Sequence, residues 1–283
     1  MGWLTDVFEP VGMQRALLAT LLVSLTASLV GTWIVIRGLS FVGDALAHGV
    51  LPGITVAFLV GVNLTVGAAV GAVVMVGGIH LVTRRTRLAE ETGIGLLFVG
   101  MLALGVVIAS RAGMEAEELI EVLFGDVAGV TTGDLWLVLA VAGGTLGSVA
   151  VFYRAFLVMS FNPEKAHVLG LRPRLSHVVM LTLMAGAVVS SFQAVGTLLV
   201  FGLLVGPPAT AALVVRRVPL MMAAAMGLGS LASVAGLVIA HHAETEGGAT
   251  IAALAVAQFF VVLAAREVAL RVSQRRATPA FSA

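Results

Sequence analysis

Residues 92–110 read TGIGLLFVGMLALGVVIAS, nineteen consecutive residues without one charged side chain. About 20 predominantly apolar residues are needed for a helix to cross the hydrocarbon core of a bilayer. Blocks of the same kind recur along the whole chain, separated by short charged segments. The pattern predicts an all-α, polytopic membrane protein. Its predicted spans are 13–36, 42–60, 64–82, 92–110, 134–152, 176–194, 196–214, 219–240 and 250–268.

Composition supports the same fold class. The 283 residues are 59% hydrophobic and only 11% charged, with a mean hydropathy of +1.09. A soluble domain of this length would need far more charge on its surface, and an outer-membrane barrel would show short alternating segments. Cysteine is absent, which excludes disulfides and thiolate metal sites. We expect one transmembrane domain at 13–270, between a short external segment at 1–12 and a cytoplasmic tail at 271–283.

The distribution of charge predicts the orientation of the spans. The first twelve residues, MGWLTDVFEPVG, are acidic and not basic, so we expect no cleaved signal peptide. If the N-terminus is outside, the inner loops hold 14 of the 16 basic residues and the outer loops hold most of the acids. This is the asymmetry of the positive-inside rule. The sixth and seventh spans are separated only by residues 194–196, so the count is nine crossings, or eight with one broken or re-entrant element.

A carboxylate and an imidazole interrupt the second span. Asp44 and His48 lie in FVGDALAHGVLPG (41–53), four residues apart, which places both side chains on one face of a helix. An ionised acid is costly in hydrocarbon and normally marks a pathway or a ligand site. Together the pair can bind one divalent cation, and a twofold dimer would supply it twice. The alternative is that the two side chains simply hydrogen-bond each other or a neighbouring helix.

A second polar motif, FNPEKAHVLGL (161–171), lies on the predicted cytoplasmic side. Asn162 is suited to cap a helix, Pro163 to its first position and Glu164 to its positive end, and Gly170 is suited to end it. The predicted helix has about two turns, too few to cross a membrane. It is either a lever for a partner protein or an ordinary ordered loop.

Two further features concern the outer side and the energy source. His241, His242 and Glu244 lie at an outer helix end and could capture metal loosely, although adjacent histidines point in different directions on a helix. No GxxxxGK[ST] phosphate-binding loop is present in the sequence, so ATP hydrolysis would require a partner subunit.

Five stretches in this order resemble the permease subunits of ABC importers for zinc, manganese and iron, the family paired with cluster A-I metal-binding proteins. They are RGLSFVGDALAHGVLPG, ETGIGLLFVGMLALGVV, VLFGDVAGV, FNPEKAHVLGL and QAVGTLLVFGLLVGPPATA. The resemblance implies a homodimeric permease in the bacterial cytoplasmic membrane, with two cytoplasmic ATPases and an extracytoplasmic metal-binding protein. It also implies that Asp44 and His48 are metal-site positions, and that Pro163, Glu164 and Gly170 belong to the element that engages the ATPase.

The sequence therefore predicts a transport subunit that has no ATPase site of its own. We also expect neither a permanently bound cofactor nor a nucleic-acid partner. We expect Zn²⁺ or Mn²⁺ as the transported ion, with Zn²⁺ slightly favoured by the general affinity order and Fe²⁺ possible. An ion-coupled secondary metal carrier is the alternative function, and a membrane scaffold or assembly factor is a third.

Overall fold

The computed structural model describes residues 6–86, 89–113, 125, 127 and 129–277. After a short 3₁₀ turn at Asp6–Phe8, every described element is an α-helix. The helices are α1 (Val11–Arg37), α2 (Ser40–Gly49), α3 (Leu51–Val60), α4 (Leu64–Arg85), α5 (Glu90–Ala112), α6 (Thr132–Phe161), α7 (Pro163–Val168), α8 (Pro173–Val214), α9 (Val218–Ala243) and α10 (Gly247–Ala277). The predicted all-α polytopic class is confirmed, and the described residues provide nine helical segments long and apolar enough to cross a membrane.

The second predicted span consists of two short helices. α2 and α3 meet at Val50, and Pro52 lies in the first turn of α3. Proline has no N–H to donate to the carbonyl oxygen of His48 four residues earlier, so the regular helical ladder is interrupted there. The interruption directly follows the turn that carries Asp44 and His48.

The sixth and seventh predicted spans are the two arms of α8, which is broken at Gly196 (φ 74°, ψ 162°). Met180, in the first arm, lies 3.4 Å from Arg37 at the end of α1. Leu204, in the second arm, contacts Gly31 of α1 with its backbone. Because both arms pack against the same end of α1, the chain reverses direction at Gly196, where only glycine adopts this backbone conformation without strain.

α1 lies at the centre of the bundle, packed against α6, α8 and α9. One of its faces is a buried stripe of hydroxyl groups at helical spacing: Thr20, Ser24, Ser28 and Thr32. Ser28 Oγ donates to the carbonyl oxygen of Ala225 in α9 at 3.1 Å. Small residues and hydroxyls of this kind allow membrane helices to approach closely and to bond across the contact.

α3 and α4 also pack closely, with their backbones in contact at glycines. A Cβ on Gly53 would overlap the carbonyl oxygen of Gly67 and lie 2.8 Å from the backbone nitrogen of Gly71. Because the obstacle is backbone, side-chain rotation cannot relieve it.

We therefore expect Gly53→Ala to destabilise the protein by about 1–3 kcal/mol, the usual cost of overpacking. Gly100→Ala is the matched control, since a Cβ there meets nothing within 4 Å. Thermal unfolding in detergent measures the difference. Equal melting temperatures for the two variants would contradict the close packing of α3 on α4.

Two helix ends differ from the prediction. The fifth span was placed at 134–152, but α6 continues to Phe161, because the residues after Arg154 are again apolar. The ninth was placed at 250–268, but α10 runs to Ala277. The segment interpreted as a cytoplasmic tail from residue 271 is thus helical for its first part. In both cases a charged residue was interpreted as the end of a helix that in fact continues beyond the apolar block.

Candidate metal site

Asp44 and His48 lie together on α2, as their spacing predicts. His48 Nε2 is 3.5 Å from Asp44 Oδ1, longer than the roughly 2.7–3.2 Å of a good hydrogen bond. No lysine or arginine of the described ranges forms an ion pair with Asp44. Among the described residues, the imidazole of His48 is thus the basic group that contacts the carboxylate.

The pair opens to the surface of the chain and not into its core. The Asp44 side chain is 25% exposed and that of His48 is 26% exposed, whereas Ala45, Leu46 and Ala47 between them are buried. The buried residues anchor α2 against α8, where Leu204 fills the space left by Gly43. Both potential ligands thus share one accessible face on a helix that is itself fixed.

Two aromatic residues adjoin this face. The ring of Phe98, from α5, lies 5.7 Å from the His48 ring and 5.5 Å from the ring of Phe41. The sequence analysis did not single out either phenylalanine. Phe41 could have been found, since it lies seven residues before His48 on the same face. Phe98 could not, because the register of α5 against α2 is a tertiary property.

Among the described residues, no third ligand joins the pair. In the part of the chain that is described, no three or more His, Asp or Glu side chains are grouped closely enough to hold a metal ion. The acidic segment after Ala112 falls mostly on residues 114–124, which lie outside the described residues. The described part of a single copy thus presents two ligands, Asp44 and His48, on an open face.

The predicted short helix on the cytoplasmic side is present as α7. Asn162 Oδ1 accepts the backbone N–H of Lys165 at 3.0 Å, and Pro163 occupies the first turn. Gly170 follows the helix with φ +67°, and the N–H of Leu171 donates to the carbonyl oxygen of Ala166 at 3.1 Å. Capping at both ends is confirmed; the side chains of Pro163 and Glu164 lie outside the described residues.

α7 has one buried side and one exposed side. Ala166 is completely buried, while Val168 is 88% exposed and Leu169 is 62% exposed. Phe161, just before the cap, is also exposed. The helix is held to the bundle on one side and presents apolar side chains on the other.

The outer histidines are only partly brought together. His241 and Glu244 line the same polar cavity of about 390 Å³. His242 is turned back along its own helix, with Nδ1 2.8 Å from the carbonyl oxygen of Val238. Metal capture by His241, His242 and Glu244 stays a prediction.

Residues 11–266, nearly the whole helical bundle, match the model of the ABC 3 transport family. The chain belongs to this family. Similar proteins include the manganese transport system membrane protein MntC of Listeria innocua, 33% identical over 249 residues, with 88% of this chain and 89% of the relative covered. The chelated iron transport system membrane protein YfeD of Yersinia pestis is 33% identical over 259 residues, covering 92% and 86%.

The fold agrees with that of a solved structure. PsaBC from Streptococcus pneumoniae in complex with Fab matches with a TM-score of 0.81 and 28% identity, over 92% of this chain and 94% of the other. The predicted recognition is confirmed: the chain is a multi-pass permease subunit of an ABC importer in the bacterial cytoplasmic membrane, without an ATPase site of its own. The alternatives of an ion-coupled carrier and of a scaffold are set aside by this family membership.

Proposed function

We propose that this permease passes a divalent first-row transition-metal ion into the cytoplasm, and that Asp44 and His48 bind the ion during passage. The observation that carries the proposal is the placement of an oxygen and a nitrogen ligand 3.5 Å apart on one accessible face of α2. Carboxylate and imidazole together suit Mn²⁺, Fe²⁺ and Zn²⁺. A bound cation also offsets the cost of holding a carboxylate within the membrane.

The separation of the two atoms fits a shared ion. Ligand atoms about 2.1 Å from a metal and related by a tetrahedral angle lie about 3.4 Å apart. The observed 3.5 Å therefore allows both atoms to bind one ion with little movement. The same distance is long for a direct hydrogen bond, which favours the metal site over the alternative of simple mutual pairing.

A second copy of the chain would complete the site. Two ligands are too few for a firm transition-metal site, which usually has four or more. The partial exposure of Asp44 and His48 leaves them accessible to a symmetry-related copy. A twofold axis beside α2 would bring two carboxylates and two imidazoles together, and movement of the two copies apart would release the ion.

The energy for this movement would come from cytoplasmic ATPase subunits that engage α7. Val168 and Leu169 provide the exposed apolar contact, and the caps at Asn162 and Gly170 keep the helix rigid enough to transmit a displacement. We assign Asn162, Pro163, Glu164 and Gly170 to this coupling element. An extracytoplasmic metal-binding protein would deliver the ion from the opposite side.

The candidates for the transported ion are manganese, iron and zinc. Relatives named for manganese and for chelated iron support the first two, while the predicted preference for zinc rests on the general affinity order alone. We place Mn²⁺ first, because relatives named for manganese support it. The affinity order is a weaker argument for zinc, since selectivity in the cell does not follow raw affinity.

Radiometal uptake into proteoliposomes that contain the complete importer tests this proposal. We expect ATP-dependent uptake, with a kcat/KM for Mn²⁺ at least about tenfold above that for Zn²⁺, a difference of about 1.4 kcal/mol. Preferential uptake of Zn²⁺ would overturn the assignment of the ion. Uptake that does not depend on ATP would overturn the proposed energy source.

A further inference from the structure

Among the described residues, no protein group forms a hydrogen bond that would fix the orientation of the His48 ring. A histidine that binds a metal ordinarily donates its other ring N–H to a carboxylate, a carbonyl or water, which fixes the plane of the ring. Within the described residues, Nε2 faces Asp44 and the ring makes no hydrogen bond. A contact with a neighbouring side chain would also hold the imidazole in place, so that its nitrogen meets the ion in a fixed direction.

The ring of Phe98 supplies such a contact. It meets the His48 ring at a centroid distance of 5.7 Å and an interplanar angle of 64°, the edge-to-face arrangement that aromatic pairs prefer. Phe98 meets the ring of Phe41 in the same way, at 5.5 Å and 72°. It is thus held between two rings of α2.

The surrounding sequence allows this arrangement. Phe41, Asp44 and His48 follow one another at i, i+3 and i+7, so all three lie on one face of α2. Phe98 reaches this face from α5. Gly95, one turn earlier on α5, adjoins Phe41, since a Cβ there would lie in ordinary van der Waals contact, 3.7 Å from Phe41 Cε1.

We propose that Phe98 is a positioning residue for metal binding: its ring, supported by Phe41, holds the His48 imidazole with Nε2 towards Asp44. The inference rests on the proposed function of Asp44 and His48 and adds to it a residue that touches neither the ion nor the carboxylate. It explains how a ligand on an accessible face retains one orientation.

The test compares Phe98→Leu with Phe98→Tyr in the complete importer, with Mn²⁺ uptake measured over a range of concentrations. Leucine keeps the apolar character but not the flat ring, and tyrosine keeps the ring. We expect Phe98→Leu to raise KM about three- to tenfold with kcat nearly unchanged, and Phe98→Tyr to restore the wild-type KM. The same KM for Phe98→Leu as for the wild type would overturn the proposal.

Phe152→Ala is the control for general loss of aromatic packing. Phe152 of α6 is half-buried and stacks on the buried ring of Phe156, at 5.9 Å and 24°. We expect this variant to lower the melting temperature without changing KM. A rise in KM equal to that of Phe98→Leu would mean that KM follows stability, and would overturn the positioning role.

His48→Gln separates this inference from the function on which it rests. If His48→Gln loses uptake while Phe98→Leu resembles the wild type, the metal site stands and the role of Phe98 fails. If His48→Gln transports normally, the site itself fails and the role of Phe98 fails with it.

Discussion

Replacing Asp44 with asparagine is expected to reduce metal uptake by about 100-fold or more while the permease still assembles with its ATPase. Asparagine has the same shape but no charge, so it binds a divalent cation more weakly. A loss of about tenfold at each of two symmetry-related positions gives about 100-fold, or about 2.7 kcal/mol. Initial rates of radiometal uptake in proteoliposomes measure the loss.

The stability of the same variant should move in the opposite direction. A carboxylate in the membrane is costly unless a bound cation offsets it, so Asp44→Asn should melt at or above the wild-type temperature in the absence of metal. Asp134→Asn is the matched control, since this outer residue accepts hydrogen bonds from Thr131 in a capping box. We expect Asp134→Asn to lose about 1 kcal/mol of stability and to transport normally. Full uptake by Asp44→Asn would remove Asp44 from the pathway.

Replacing Gly170 with proline is expected to uncouple ATP hydrolysis from transport. Gly170 has φ +67°, whereas proline is fixed near −65°. Proline would also remove the N–H that donates to the carbonyl oxygen of His167 at 3.2 Å. The end of α7 must therefore rearrange, and with it the apolar surface at Val168 and Leu169. We expect uptake to fall at least about tenfold while basal hydrolysis by the complex continues.

Gly113→Pro is a close control for the backbone effect. Gly113 ends α5 with φ +71° and, like Gly170, has open space around it, and its N–H donates to the carbonyl oxygen of Ala109. The predicted topology places Gly113 on the outer side of the membrane, opposite to α7. We expect uptake by this variant within about twofold of the wild type. Unchanged coupling in Gly170→Pro would count against α7 as the element that engages the ATPase.

Much of the fold could be predicted from apolar blocks alone, since a bilayer sets the length of each helix. α4 and α5 begin within two residues of the predicted positions. The reversal at Gly196 was left open between a broken element and two spans. Only the contacts of Met180 and Leu204 with α1 decide it, and contacts between distant segments leave no local pattern.

The helix ends were predicted less well because charge was interpreted as the end of a helix. Arg154 lies within α6, and Arg266 and Arg271 lie within α10. Long basic side chains extend towards the membrane surface while their helix continues. A charged residue thus indicates where the apolar core ends, but not where the helix ends.

The candidate site could be predicted in part. The i,i+4 spacing of Asp44 and His48 is sufficient to place both side chains on one face, and the structure agrees. The contact with Phe98 depends on how α5 packs against α2, which no local pattern contains. The caps of α7 were predicted correctly because Asn162, Pro163 and Gly170 act through their own backbone neighbours.

The most direct test is a high-resolution map of the ion-loaded complex, with the metal located by anomalous scattering or by difference density. The account predicts one ion between two copies of the permease, about 2.0–2.3 Å from a carboxylate oxygen of Asp44 and a ring nitrogen of His48 in each copy. An ion located elsewhere in the pathway, with both side chains turned away from the axis between the copies, would contradict it.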